Sequence, residues 1–227
     1  MKTDRHLRVS AARGLTFLFL FAVAGLLTVG CNILGPVAGV MAGRGTIEAQ
    51  YTLKPDLPTL VYVDDRGNLL GRSSLRRLIA DTAAKKLLSE KLVKDVVDSQ
   101  GAMVFARREP PDRPYTVEEL GEAVGAKQVV FVEIEGFGLT MDGSTLHPTA
   151  LARVKVIEVG ATPARVWPES PPIGFLMGAD LQQQGGMNIS NAERRALQDK
   201  LATKLGMNIA GLFYKHERAY VLEKEGK

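Results

Sequence analysis

TVEELGEAVGAKQVVFVEIE, residues 116–135, writes a helix and then a strand with almost no linker between them. Thr116 and Glu119 have capping-box spacing: the Thr116 hydroxyl can accept from the Glu119 amide while the Glu119 carboxylate reaches back. Tyr115 and Leu120 stand at the positions of a hydrophobic staple. Gly125 suits the left-handed residue that closes a helix, which predicts a helix over 117–124. Lys127–Ile134 (KQVVFVEI) then reads as a strand with apolar residues on both faces, hence a central one. A buried central strand that follows a helix directly points to an α/β domain.

Working upstream, Thr59–Val63 is a short β-branched run closed by Asp64-Asp65-Arg66-Gly67-Asn68, a buried strand and a polar loop. Leu60–Val63 is the expected neighbour of the strand at 127–134. Ser73 or Ser74 can cap a helix running to about Leu92, with Leu75, Leu78, Ile79, Leu87, Leu88 and Leu92 near one face. Arg76, Arg77, Lys85, Lys86 and Lys91 fall between them, and such a basic set reads first as a solvated face. Val93–Asp98 and Ala102–Ala106 are short apolar runs, one or both of them strands. Arg107–Pro114 (RREPPDRP) is a surface loop.

Downstream, Gly136 and Gly138 mark a bend or bulge, and Met141-Asp142-Gly143-Ser144 a turn. Leu151–Val159 alternates, with Ala152, Val154 and Val156 on one face and Arg153 and Lys155 on the other, a half-exposed antiparallel strand. Ala164–Trp167 returns as a shorter strand. Residues 168–189, with Pro168, Pro171, Pro172 and Gly185-Gly186, read as a mobile or docking loop. Ser190 and Glu193 form a second capping box, opening a long helix expected to reach His216. Its stripe of Leu197, Leu201, Leu205, Ile209, Leu212 and Phe213 either covers the sheet or forms an interaction face for a partner or a second copy. The expected architecture is α/β, with a small mixed sheet of about four to five strands, two helices and a long C-terminal helix. One domain spans 59–217 and a charged tail 218–227.

The tract VEELGEAVGAKQVVFVEIE, residues 117–135, followed by Leu151–Trp167, resembles the small α/β domains of bacterial envelope proteins: the amino-terminal domain of TolB, the LpoB-type activators and the CsgG-type secretion lipoproteins. In them a helix ending leucine-glycine-alanine, here Leu120–Ala126, precedes a central strand, here Val129–Glu135. The resemblance implies such a fold, an envelope setting and action by binding; it transfers no active site. The chain has no pair of alternating membrane-spanning hairpins of the kind a CsgG-like pore needs.

The amino terminus fits that setting. Lys2, Arg5, Arg8 and Arg13 precede the apolar run LTFLFLFAVAGLLTVG (residues 15–30), which ends at Cys31, the one cysteine of the chain. A basic segment, an apolar core and small residues describe a signal peptide, and Thr28-Val29-Gly30-Cys31 resembles the lipobox, where the cysteine is acylated. On that reading residues 1–30 are the leader and 31–58 a lipidated tether, broken by Gly35-Pro36, Gly39, Gly43 and Gly45. Asn32 replaces the Asp that favours inner-membrane retention, which points to the periplasmic face of an outer membrane. Two alternatives remain: an uncleaved anchor, since Ile33, Leu34, Val37, Ala38, Val40 and Met41 extend the apolar stretch past the roughly 20 residues of a membrane span, and plain secretion.

The charge of the chain says little about partners. Four of its 29 Lys+Arg and one of its 25 Asp+Glu lie in residues 1–30; the remaining 25 and 24 give a net of +1. A nucleic-acid binder would keep a basic face. Cys31 has no partner for a disulfide or a zinc site. No GxSxG, P-loop, HExxH or dinucleotide fingerprint is present, and no cofactor is implied. Three chemistry-bearing sets remain. Asp64-Asp65 at a strand end could bind a metal or cap the next element. Glu133 and Glu135, on one face of a strand, could form an acid/base pair of a hydrolase or be ordinary solvent-side carboxylates. His6, His147 and His216 fall in the leader, a loop and a helix end. The expectation is a non-catalytic module for an envelope complex, with an oligomerising subunit of a transport or secretion assembly as the alternative.

Overall fold

The computed structural model describes residues 46–110, 112–140, 146–182 and 189–217, within one compact unit that begins at Thr46. The leader, Cys31, the turn at Met141–Ser144, Gly185-Gly186 and the charged tail lie outside the described residues. The described elements are β1 (Thr46–Ile47), β2 (Thr59–Asp64), α1 (Ser73–Ser89), β3 (Val96–Val97), α2 (Ser99–Ala106), α3 (Val117–Ala123), β4 (Gln128–Thr140), β5 (Leu146–Glu158), β6 (Arg165–Trp167), β7 (Phe175–Asp180), α4 (Asn191–Gly211) and β8 (His216–Glu217).

The protein is α/β, with six strands in the main sheet. Its order is β3-β2-β4-β5-β6, and β7 pairs with β5 beyond β6. β2 runs parallel to β3 and β4, with Leu60 opposite Val129 and Val63 opposite Val132. β4 and β5 form a long antiparallel hairpin, and β4 shifts register at Ile134/Gly136 and Gly138/Thr140, where glycines relax the pleat. Odd and even positions of β2 face different layers, as a strand requires. Val61 and Val63 join Leu75, Ile79, Leu201, Leu205 and Ile209 of α1 and α4. Leu60 and Tyr62 join Ala102 of α2, Leu120 of α3 and Phe131. The sheet therefore lies between two helical layers.

Local codes account for the helix ends. Both capping boxes form, at Thr116/Glu119 and Ser190/Glu193. Tyr115 stacks on Phe105, ring centroids 4.6 Å apart, in the same apolar cluster as Leu120. Gly125 has φ +76°, and the Ala126 amide donates to Gly121 O at 2.9 Å, a Schellman closure.

Four expectations change, and one open alternative is resolved. α1 is not capped by Ser73 or Ser74: its N-cap is Arg72, without a side-chain cap. α1 also ends at Ser89, because Lys91 takes a left-handed φ of 58° and the Leu92 amide returns to Leu87 O. Of the two short apolar runs, Val93–Asp98 holds the strand β3 and Ala102–Ala106 is helix, since Asp98 caps it by accepting from the Gln100 amide. The supposed loop at 168–189 contains β7, whose residues pair with Thr149–Val154. α4 stops at Gly211, and His216 lies in β8.

The domain also begins earlier than residue 59. β1 pairs with β8, the Gln50 amide donates to Leu212 O at 2.7 Å, and Leu53 is buried. The Lys54 amide donates to Oε1 of Gln128, whose Nε2 donates to the Thr59 hydroxyl at 3.0 Å. Residues 46–58 are thus part of the fold and not tether.

Candidate functional site

β2 ends at Asp64, and the chain leaves it toward α1 on one face of the sheet; from the neighbouring β3 it leaves toward α2 on the other. A crevice must open where adjacent parallel strands send their connections to opposite faces. There the structure has a cleft of about 350 Å³, walled by the first turns of α1, by α2 and by the loop after β2. Met103, Val104 and Leu120 line it with apolar groups, and Arg66, Arg76, Arg77 and Arg107 with cationic ones.

Arg76 is the best-held of these cations. Its Nε and Nη2 donate to Val63 O at 3.1 and 2.9 Å, and Nη2 also donates to the Tyr62 hydroxyl at 3.3 Å. Its guanidinium carbon lies 5.9 Å from the Tyr62 ring centroid. Among the described residues, neither Arg76 nor Arg107 forms an ion pair, whereas Arg66 contacts Asp64 at 3.1 Å and Glu109 at 3.5 Å, and Arg77 contacts Asp81. Burial pushes the Asp64 carboxyl above the ordinary aspartate range; Arg66 and Arg76 pull it back, and Glu133 and Glu109 add to the rise. Burial likewise raises the Tyr62 phenol, against the pull of Arg76.

The residues nominated from sequence disperse. Asp65 accepts from the amides of Leu69 and Leu70 at 2.7 and 3.2 Å, so it ties the loop, while Asp64 faces Arg66. Among the described residues, no group of three or more His, Cys, Asp or Glu side chains could hold a metal. Glu133 and Glu135 each meet a cation of β5, Lys155 at 3.6 Å and Arg153 at 2.7 Å, as cross-strand pairs. His147 is exposed on β5, not in a loop, and His216 Nδ1 lies 3.0 Å from Tyr214 O. The C-terminal stripe is an interior: Leu201, Leu205 and Ile209 are fully buried and Leu212 and Phe213 nearly so, with only Leu197 half-buried. Those side chains pack within this chain and form no surface for a partner or second copy.

Sequence reasoning missed Arg76. It grouped Arg76 with four other basic residues between the apolar positions of α1. The structure splits the group: Arg77 and Lys86 form i,i+4 pairs with Asp81 and Glu90, and Arg76 turns over the end of β2. The available signal was the order of elements, which puts the first turn of the helix after a buried parallel strand at that strand's carboxyl end.

Among the described residues, no helix is long and apolar enough to cross a membrane. No family model matches the chain, and no curated protein matches it. Among solved structures it is similar to the hypothetical protein CT253 from Chlamydia trachomatis, at 17% identity and a TM-score of 0.40, over 70% of this chain and 98% of that one. It is also similar to PelC of Paraburkholderia phytofirmans, solved as a dodecamer, at 13% and 0.38, over 78% and 100%. The lipoprotein GNA1162 from Neisseria meningitidis aligns at 18% and 0.34, over 68% and 95%.

Proposed function

We propose that this chain is a lipid-anchored cell-envelope protein whose α/β domain is a non-catalytic binding module, with its partner docking in the cleft between α1 and α2. The observation that carries the reading is the cleft itself. It lies at the carboxyl ends of β2 and β3, joins apolar side chains to guanidinium groups, and leaves two of those groups, Arg76 and Arg107, without an ion pair among the described residues. Glu133 and Glu135, the one carboxylate pair that a hydrolase reading would use, lie outside the cleft and each already meet a cation of β5. The anchor rests on the leader and on Cys31.

Two experiments test this. A Cys31→Ser chain should leave the membrane fraction and lose the mass of an attached diacylglycerol; firm membrane retention of that variant would sink the lipoprotein reading in favour of an uncleaved anchor. A photo-crosslinking amino acid at Val104, exposed beside the cleft, should trap a partner in cells. The same group at Met207, exposed on α4, should not. Equal trapping from both positions would remove the cleft from the account.

A further inference from the structure

We infer that the cleft recognises an acidic side chain flanked by apolar residues on a partner polypeptide, with Arg76 and Arg107 as the carboxylate-binding residues. The inference rests on the docking reading above and adds the chemistry of the occupant.

The cations of the cleft fall into two groups. Arg66 already faces Asp64 and Glu109, and Arg77 already faces Asp81. Arg76 is held by neutral acceptors, Val63 O and the Tyr62 hydroxyl, which fix its orientation; Asp64 feels its charge but forms no ion pair with it. Those contacts use Nε and Nη2, and the Nη1 donors have no hydrogen-bond partner among the described residues. Arg107 lies exposed on the opposite wall of the cleft, at the end of α2. A guanidinium fixed in place with donors to spare suits a carboxylate.

The rest of the lining selects among anions. Asp64 and Glu109 stand in or beside the same cleft, and Asp64 is already burdened by burial. A phosphate dianion would meet both of them, whereas a monoanionic carboxylate meets less repulsion. Next to the cations, Val104 is 44% exposed and Met103 half-buried, an apolar wall open to a neighbouring aliphatic group. A carboxylate beside apolar side chains satisfies both walls, which is charge complementarity of the kind that orients docking.

The test uses the full-length protein in detergent and two rhodamine-labelled tripeptide amides, Leu-Glu-Leu and Leu-Gln-Leu, followed by fluorescence anisotropy. The Glu peptide should bind about tenfold more tightly than the Gln peptide, and Arg107→Gln and Arg76→Gln should each weaken it about tenfold, the worth of one charge-assisted contact. Arg107 is exposed, so its variant stays interpretable even if Arg76→Gln perturbs the end of β2. Equal binding of the two peptides, unaltered binding by Arg107→Gln, or stronger displacement by inorganic phosphate than by acetate at equal ionic strength would each overturn the inference. Crosslinks from Val104 that persist alongside such a result leave the docking reading standing and remove only the carboxylate; loss of those crosslinks removes the docking reading itself.

Discussion

Gly206 sits where α1 and α4 cross. A Cβ there would lie 2.7 Å from Ile79 O and 2.8 Å from Thr82 Cβ. Alanine would gain about 1 kcal/mol of helix propensity, but the contact is with backbone, so the helices must separate at a cost of about 1–3 kcal/mol. Gly206→Ala is expected to destabilise by about 1 kcal/mol, read as a lower urea midpoint. At Asp64 the sign runs the other way. Its carboxyl is raised in the folded state by burial, so its contribution to stability is full below the ordinary aspartate pKa and is lost as pH rises through the raised one. Asp64→Asn should therefore leave stability at pH 7 equal or higher, by less than ~1 kcal/mol given partial screening by solvent, with no gain near pH 3; a clear loss at pH 7 would mean that the contact with Arg66 outweighs burial. Residues of this kind are where the sequence says least. It shows that Asp64 ends a strand and that Arg76 is basic, but which acceptor each finds depends on the end of β2 meeting the first turn of α1.

The starts of α3 and α4 were far more legible, because their code is local. Thr116/Glu119 and Ser190/Glu193 can be read from spacing alone, and in both the carboxylate accepts from the N-cap amide at 2.8–2.9 Å. Thr116→Ala should cost about 1 kcal/mol. The Glu119 and Glu193 carboxyls are held below the ordinary glutamate range, first by the backbone amides of Thr116 and Ser190. Their contribution is present above the ordinary glutamate pKa and is lost as pH falls through the lowered value. Amide exchange in the first turns of α3 and α4, measured relative to the mid-helix of α4, should accelerate over that acid window. A ratio independent of pH would show that the boxes do not hold these ends. Where the deciding contact is distant, the pattern failed. Phe175–Asp180 contains Gly178 and lacks clean alternation; it becomes a strand because β5 offers it an edge, and α4 covers its other side, Asn208 Nδ2 donating to Gly178 O at 3.0 Å. Ala102–Ala106 is overlooked for a local reason instead: Asp98 caps it, accepting from the Gln100 amide.

For the whole molecule, the same division between local and distant information explains the misplaced domain boundary. Glycines and prolines between 32 and 58 suggested a spacer, yet Tyr51 lies 6.0 Å from Trp167, ring to ring, and Leu53 is buried in the main core. Leu53→Ala should cost about 2–4 kcal/mol, as for a core leucine; a change below 0.5 kcal/mol would restore the tether. This entry segment also fixes the end at which the chain enters the domain. Residues 46–58 pack at the amino ends of β2 and β4, where the Lys127 amide meets Pro58 O and Lys54 Nζ meets Glu158, and β1 pairs there with β8. The cleft lies past the other end of β2, about 20 Å away for a six-residue strand. If Cys31 fixes the chain to a bilayer, the domain is tied at the end opposite its cleft, and a partner can reach the cleft from the aqueous side. A donor fluorophore on Val104→Cys should therefore transfer less energy to acceptor-labelled lipid headgroups than the same donor on Glu48→Cys, in vesicles carrying the lipidated protein. Equal transfer would mean that the domain tumbles freely about its attachment; greater transfer from position 104 would turn the cleft toward the membrane and make a lipid-borne group, and not a protein in the aqueous space, its nearest occupant.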